Sequence, residues 1–289
     1  MKHKGPKGEH HLRLLVLIFI ALVYAGINTT TVLAQGKNMR LVFVLLSEPR
    51  LPKGDDVVQS FAEFATKGQS VQLGNAKPTA DSPGLDFELK PGGNALVVLL
   101  PVAVPNGEAD AAVRYSLSAM GTGWKLPVHK AHLVVTCDCP GTPLESLSLL
   151  TSLLGAVVKA SPAVGVYWGE AGATHDPKFF METAREQDVA LRLMLWTGVS
   201  VGREPDGRLS LLSLGMKQLN LPDLLLIAPK SAGNSALEPF FTFLTYVADR
   251  GEPLPEGDTI GRSETEKLPV QYVPSPLDQK IKVWRIEIK

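Results

Sequence analysis

The side chains with the most chemistry to offer lie in a few short groups. Trp168 and Glu170 close the run Val164 to Gly172, and His175 follows shortly after. In extended backbone, alternate residues share a face, so Trp168 and Glu170 project together as an aromatic wall beside a carboxylate. A buried Glu170 with a raised pKa beside His175 would be equipped for proton transfer, which makes Glu170 and His175 the candidate catalytic pair. The competing reading is a surface glutamate next to a packed tryptophan, with Gly169 and Gly172 only permitting a turn.

A second group sits on an expected hairpin, Ala190 to Val201 followed by Leu209 to Lys217, with Glu204-Pro205-Asp206-Gly207 as its turn. Leu191, Leu193, Leu195, Val199 and Val201 alternate onto one apolar face. Arg192, Trp196 and, from the partner strand, Ser213 fall on the other, a mixed lining suited to a cleft. Packing of that face against a neighbouring sheet, with Trp196 as filler, is the alternative. The third group is Gly257-Asp258-Thr259-Ile260-Gly261. Asp258 and Thr259 between glycines favour a turn closed by their own side chains, although such a loop also offers backbone N–H groups to an anion. Trp168, Arg192, Trp196, Ser213, Asp258 and Thr259 are thus the candidate ligand-binding residues.

Other chemistry is poorly represented. The phosphate-loop, dinucleotide, nucleophile-elbow and HExxH patterns are missing from the sequence. His129 and His132 are three apart on an expected strand and point to opposite faces, which disfavours a shared metal ion. Cys137 and Cys139 sit two apart, where a bridge along a strand would be strained, so buried free thiols are the favoured expectation. No cofactor and no metal is implied.

These groups need a scaffold. Arg40 to Leu46 reads as a buried strand, and Asp55 as the start of a helix with Val57, Val58, Phe61 and Phe64 inward. Gly84 to Lys90 and Asn94 to Leu100 form a hairpin around Pro91-Gly92-Gly93. A helix is expected from Asn106 to about Met120, then a strand from His129 to Asp138. Thr142-Pro143-Leu144-Glu145 is a capping box opening a long apolar helix. Ala163 to Gly169, the helix from Asp176-Pro177, the hairpin, Leu224 to Ala228, a helix capped by Ser235 and Glu238, and extended segments at Val270 to Val273 and Ile281 to Ile288 complete the chain. Both halves repeat the order of a ferredoxin-like, split β-α-β unit. The expected fold class is therefore α+β: two tandem ferredoxin-like units, residues 40–140 and 141–289, the second beginning with the linking helix.

With 289 residues, 45% of them apolar, and no net charge, the chain can bury a sizeable core and carries no basic stripe. Nucleic acid is a poor partner for it. Residues 1–34 have the layout of a signal peptide or membrane anchor: lysines and Arg13, an apolar run from Leu14 to Ile27, and Val32-Leu33-Ala34. The expectation is an exported or N-terminally anchored protein, touching a membrane only through this segment if it is not cleaved. A start at Met39 would instead make it cytoplasmic.

The succession LWTGVSV (Leu195 to Val201), SLLSLGMKQLNLPDLLLIA (Ser210 to Ala228) and GDTIG (Gly257 to Gly261), with VGVYWGEAG before it, resembles the bacterial domain-of-unknown-function 4261 family. That resemblance extends over most of residues 40–289, is densest from Val164, and implies a fold without implying a reaction. The preferred expectation is a non-enzymatic module binding a protein or small molecule in a cleft between two α+β units. A hydrolase or transferase using Glu170, His175 and Arg192 is the alternative, and requires those side chains to converge in one pocket. A self-associating structural protein is the third class.

Overall fold

A computed structural model describes residues 39–74 and 84–289. The expected leader lies outside these residues. Residues Arg40 to Lys289 form one compact unit with mixed α+β architecture.

The first sheet takes strands from both expected halves. Its order is β2 (Ser70–Leu73), β3 (Gly84–Lys90), β4 (Asn94–Leu100), β5 (Ala131–Asp138), β1 (Met39–Leu46), β6 (Ala163–Trp168) and β7 (Ala173–His175). Strand β1 runs antiparallel to β6, with Val44 opposite Val166. This order differs from tandem ferredoxin-like units. Such a unit would place β1 between β4 and β5, whereas here β5 lies between β4 and β1, and β6 and β7 extend the first sheet. Strands from both sides of residue 140 thus share one sheet. Element order along a sequence is shared by several strand orders, and long-range pairing selects among them.

The helix α4 (Pro143–Ala160) packs on this sheet beside α1 (Gly54–Phe61). Its capping box forms as expected: the Thr142 hydroxyl accepts from the Glu145 N–H, and the Glu145 carboxylate accepts from the Thr142 N–H at 2.8 Å. Leu147, Leu150, Leu154 and Val157 are buried, and so is the opposite side with Thr151 and Ser152. A Cβ at Gly155 would lie 2.5 Å from the Phe64 ring, so glycine is what lets the segment after α1 approach. Two short helices, α2 (Glu108–Ala112) and α3 (Leu117–Thr122), replace the single helix expected from Asn106. Asn106 itself adopts a left-handed φ of 59°, and the extended Ser116 caps α3, which breaks the run twice.

Cys137 and Cys139 correct another expectation, because they are joined as a disulfide with Cα atoms 5.3 Å apart. Strand β5 ends at Asp138, so Cys139 leaves the strand direction and comes within ordinary bridging distance.

The second half of the chain continues with α5 (Pro177–Arg185), capped by Asp176, and α6 (Val189–Trp196), capped by Asp188. Residues 189–196 were expected as the first part of a strand. Leu191, Leu193 and Leu195 do alternate, but Ala, Leu, Arg and Met are strong helix formers, and a capped start lets the helical alternative win. The strand begins only after Thr197, so the hairpin is β8 (Gly198–Arg203) with β9 (Leu209–Leu214), around the expected Glu204-to-Gly207 turn. A second sheet follows in the order β13 (Gln271–Pro274), β14 (Lys282–Glu287), β10 (Leu224–Ala228), β9, β8. Strands β10 and β14 are parallel and are connected through α7 (Leu237–Arg250), which covers one face with Phe240, Leu244 and Val247. The Ser235–Glu238 capping box does not form. Ala236 is the cap residue, and the Ser235 hydroxyl donates to the Ala232 carbonyl instead. Strands β11 (Thr259–Ile260) and β12 (Leu268–Pro269) make a small separate ladder.

Candidate functional site

Arg192 illustrates how far a residue type can be from the role its chemistry suggests. It is 1% exposed, on the inner face of α6. Its Nε donates to the Glu186 carbonyl at 2.6 Å, and one terminal nitrogen donates to the Phe64 and Ala184 carbonyls, each at 2.8 Å. The other reaches the Ser148 hydroxyl at 2.9 Å and the Ser148 carbonyl at 3.1 Å. Those carbonyls belong to the C-terminal end of α5, the segment just after α1, and α4. A cation there meets the negative ends of helices, which compensates part of its desolvation. Burial still lowers its pKa to about 10. All three guanidinium nitrogens are occupied by the protein itself.

Trp196, one helical turn on, is equally buried and donates its indole N–H to Thr151 at 2.8 Å. Trp168 lies at the end of β6 and donates to the Gln218 side-chain oxygen at 2.7 Å. The Gln218 amide nitrogen in turn donates to the carbonyls of Trp196 at 3.1 Å and Gly215 at 3.0 Å. Gln218 therefore locks the first sheet, helix α6 and the turn after β9 together. Sequence reading overlooked it; its only signal was a lone amide in an apolar stretch, which does not reveal its partners. Gly215 adopts a φ of +111°, and a Cβ there would lie 2.7 Å from the Trp196 carbonyl. Ser213 completes the junction, donating to Asp223 at 2.9 Å and accepting from the Leu224 N–H at 2.8 Å. Asp223, also overlooked, accepts from the Met216 N–H and has its pKa raised by burial.

His175 is fully buried, and its hydrogen bonds run in one direction. The Asp176 N–H donates to the Ser118 hydroxyl at 3.1 Å, which lies 2.8 Å from the Ser116 hydroxyl. Ser116 lies 2.8 Å from His175 Nδ1, and Nε2 lies 3.0 Å from the Leu195 carbonyl. A carbonyl only accepts, so Nε2 carries the proton, Nδ1 accepts, and Ser118 donates to Ser116. Burial drives the His175 pKa down to about 4, fixing the neutral ring that this chain of donors requires. Serine beside histidine resembles a nucleophile with its base, but both side chains are at 0% exposure. Glu170, by contrast, is exposed in the turn between β6 and β7. His175, Arg192 and Trp196 are each held by separate buried partners, and Glu170 lies apart from them on the surface.

Asp258 and Thr259 form the expected turn. The Asp258 carboxylate accepts from the Thr259 N–H at 2.9 Å, and both residues are exposed. The neighbouring Arg262 is engaged with Glu266. His129 accepts from the Val104 N–H at 3.0 Å, and His132, with its pKa lowered to about 4 by burial, donates to the Val102 carbonyl at 2.8 Å.

An open surface remains on the other side of α6. Leu117 of α3, Ala190, Leu191 and Met194 of α6, and Leu237 and Phe241 of α7 line a groove of about 540 Å³. Glu238, Thr242 and Thr245 add its polar atoms. Leu191 is 36% exposed there, one residue from the buried Arg192. The α7 wall is a two-turn stripe, and Leu117 sits between the two serines that hold His175. A second depression of about 600 Å³, beside the start of α7, includes Ser231, Ser235, Glu238, Arg262 and Lys289.

No curated protein and no solved structure matches the chain. A family match exists at its C-terminal end, beginning within β9 and closing with β14. It takes in Ser213, Gln218, Asp223 and the α7 wall of the groove, and leaves Glu170, His175 and Arg192 outside. Residues 212–287 match the family described as domain of unknown function (DUF4261).

Proposed function

We propose that the chain is a binding module whose ligand surface is the apolar groove between α6 and α7. The groove itself carries this reading. Its volume of about 540 Å³ falls in the range of small-ligand sites, and apolar side chains from three helices meet in it with a few polar atoms at the edge. An amphiphile with an acyl or aromatic body fits that lining, with its polar group toward Glu238 and the threonines. Hydrolase or transferase chemistry through Glu170, His175 and Arg192 is less well supported, because one of the three is exposed, one is sealed and neutral, and one is held by carbonyls.

The test is a thermal-shift screen of amphiphiles on the wild type and on Leu191→Glu. A ligand present at a hundred times its Kd adds about 2.7 kcal/mol to the stability of the wild type. Loss of that shift in the variant, with unchanged unfolding of the free protein, is the expected result. Equal shifts in both proteins would move the site elsewhere. The same reading places the module outside the cytoplasm or on an anchor, from the pattern of residues 1–34. Mass spectrometry of the native N-terminus decides this: a chain beginning at Gln35 supports export, and one beginning at Met39 ends that part of the proposal.

A further inference from the structure

The hairpin between β13 and β14 ends in a tip whose side chains point to a different kind of contact. Every residue from Pro276 to Lys282 is exposed. Two of them are large aliphatics, Leu277 at 59% and Ile281 at 54% exposure. Ile281 is flanked on both sides by lysines, Lys280 and Lys282. The tip is also held in shape. The Ser275 N–H donates to the Ile281 carbonyl at 2.7 Å, and the Ile281 N–H donates to the Asp278 carbonyl at 3.0 Å. The Asp278 carboxylate, the one acidic group on the tip, accepts from the Lys280 N–H at 3.0 Å. The Gln279 amide donates to the Ser275 carbonyl at 3.1 Å, which closes the turn.

We propose that this tip rests on a lipid surface carrying anionic headgroups. Other large exposed apolar side chains, such as Leu73, Val128 and Tyr246, are dispersed along the chain, and dispersed examples need no explanation. Two on one ordered turn place apolar area on a protruding point without a further ordering cost. Protein interfaces concentrate their binding energy in Trp, Tyr and Arg set in packed pockets, and the tip has none of these. Aliphatic side chains beside lysines suit the boundary between acyl chains and headgroups. There the aliphatics enter the apolar layer, while each ammonium, on its flexible stem, stays among the phosphates. With two aliphatics and two lysines, the contact is weak and reversible. It orients the domain rather than anchoring it.

The experiment uses the full chain and a reporter on the tip itself, so that vesicle binding through residues 14–27 alone leaves the signal unchanged. Trp168, Trp196 and Trp284 are buried and Trp124 is half-buried, so the exposed indole introduced by Leu277→Trp is read as the difference from the parent chain under the same conditions. With vesicles of phosphatidylcholine and phosphatidylglycerol, its emission should shift to the blue and be quenched by brominated acyl chains. Adding Lys280→Gln and Lys282→Gln should weaken the vesicle affinity read from this signal about five-fold per lysine removed. Thermal unfolding identical to the parent shows that the variants are folded. An unshifted indole on anionic vesicles overturns the proposal. So does an equal shift on phosphatidylcholine alone. A shift produced by a soluble protein fraction and by no vesicle also overturns it, and assigns the tip to a protein partner.

Discussion

Helix α6 carries its arginine inside and a leucine outside, and its two faces make the most instructive contrast in the molecule. On the inner face, Arg192 and Trp196 direct every strong donor to carbonyls and hydroxyls of α4, α5 and the α1 segment. On the outer face, Ala190, Leu191 and Met194 meet Leu237 and Phe241 of α7 across an open groove. Polar groups usually signal function and apolar groups structure; under the proposed reading each has the other's task here. A buried cation with all its partners in the protein has nothing left to offer a ligand. Apolar surface left open beside it does.

The largest expected effect comes from breaking the inner face. Arg192→Met removes a charge held at helix ends and leaves the Ala184 and Glu186 carbonyls without their donor, while the Phe64 carbonyl keeps only the Ser152 hydroxyl. We expect a loss of about 3–5 kcal/mol in denaturant unfolding, with Arg192→Lys recovering only part, since one ammonium cannot reach that spread of carbonyls. A loss below about 1 kcal/mol would mean that water replaces the guanidinium, and that the face is not as closed as its exposure indicates.

Acid should act next. His175 and His132 have folded pKa values of about 4, below the 6.5 of the free side chain. Between those values the unfolded chain binds more protons, so stability is complete above about pH 6.5 and falls as the pH drops toward 4. By pH 5 each histidine accounts for a loss of about 2 kcal/mol. Unfolding measured from pH 7 to pH 5 should show this slope, and His175→Gln should reduce it by about half, leaving the His132 share. An unchanged slope in the variant would remove His175 from the account.

Gln218→Leu is a milder break of the same junction. It leaves the Trp168 indole N–H and the Trp196 carbonyl without their partner, while the Gly215 carbonyl keeps the backbone N–H of residue 218, at a cost of about 1–3 kcal/mol in thermal or denaturant unfolding. Leu191→Ser, on the outer face, sharpens the contrast from the other side. Its stability should stay within about 0.5 kcal/mol of wild type while amphiphile binding is lost. If instead the serine variant unfolds as readily as the arginine variant, the two faces are not different in kind.

Much of the scaffold was legible from local chemistry. The Thr142 capping box, the Asp176-Pro177 helix start, the Pro91-Gly92-Gly93 and Glu204-to-Gly207 turns and the strand at Leu224 all depend on neighbours within a few residues, and all form. The candidate site was far less legible. Alternation from Leu191 to Leu195 was a fair strand signal, but over eight residues it competes with a capped helix, and the two readings send Arg192 to different surroundings. The Asp258–Thr259 turn was read correctly because its hydrogen bond is local.

By itself, then, the sequence determined the helix starts at Thr142 and Asp176, where turns reverse the chain, and a match of residues 212–287 to DUF4261, because caps, turn residues and motifs act over short distances. Tertiary structure decided the rest. It placed β6 and β7 in the first sheet, buried Arg192 and His175, and left the groove beside them open. Each of these depends on which distant segments meet, and burial, which sets whether a polar side chain is structural or free to bind, exists only once they have met.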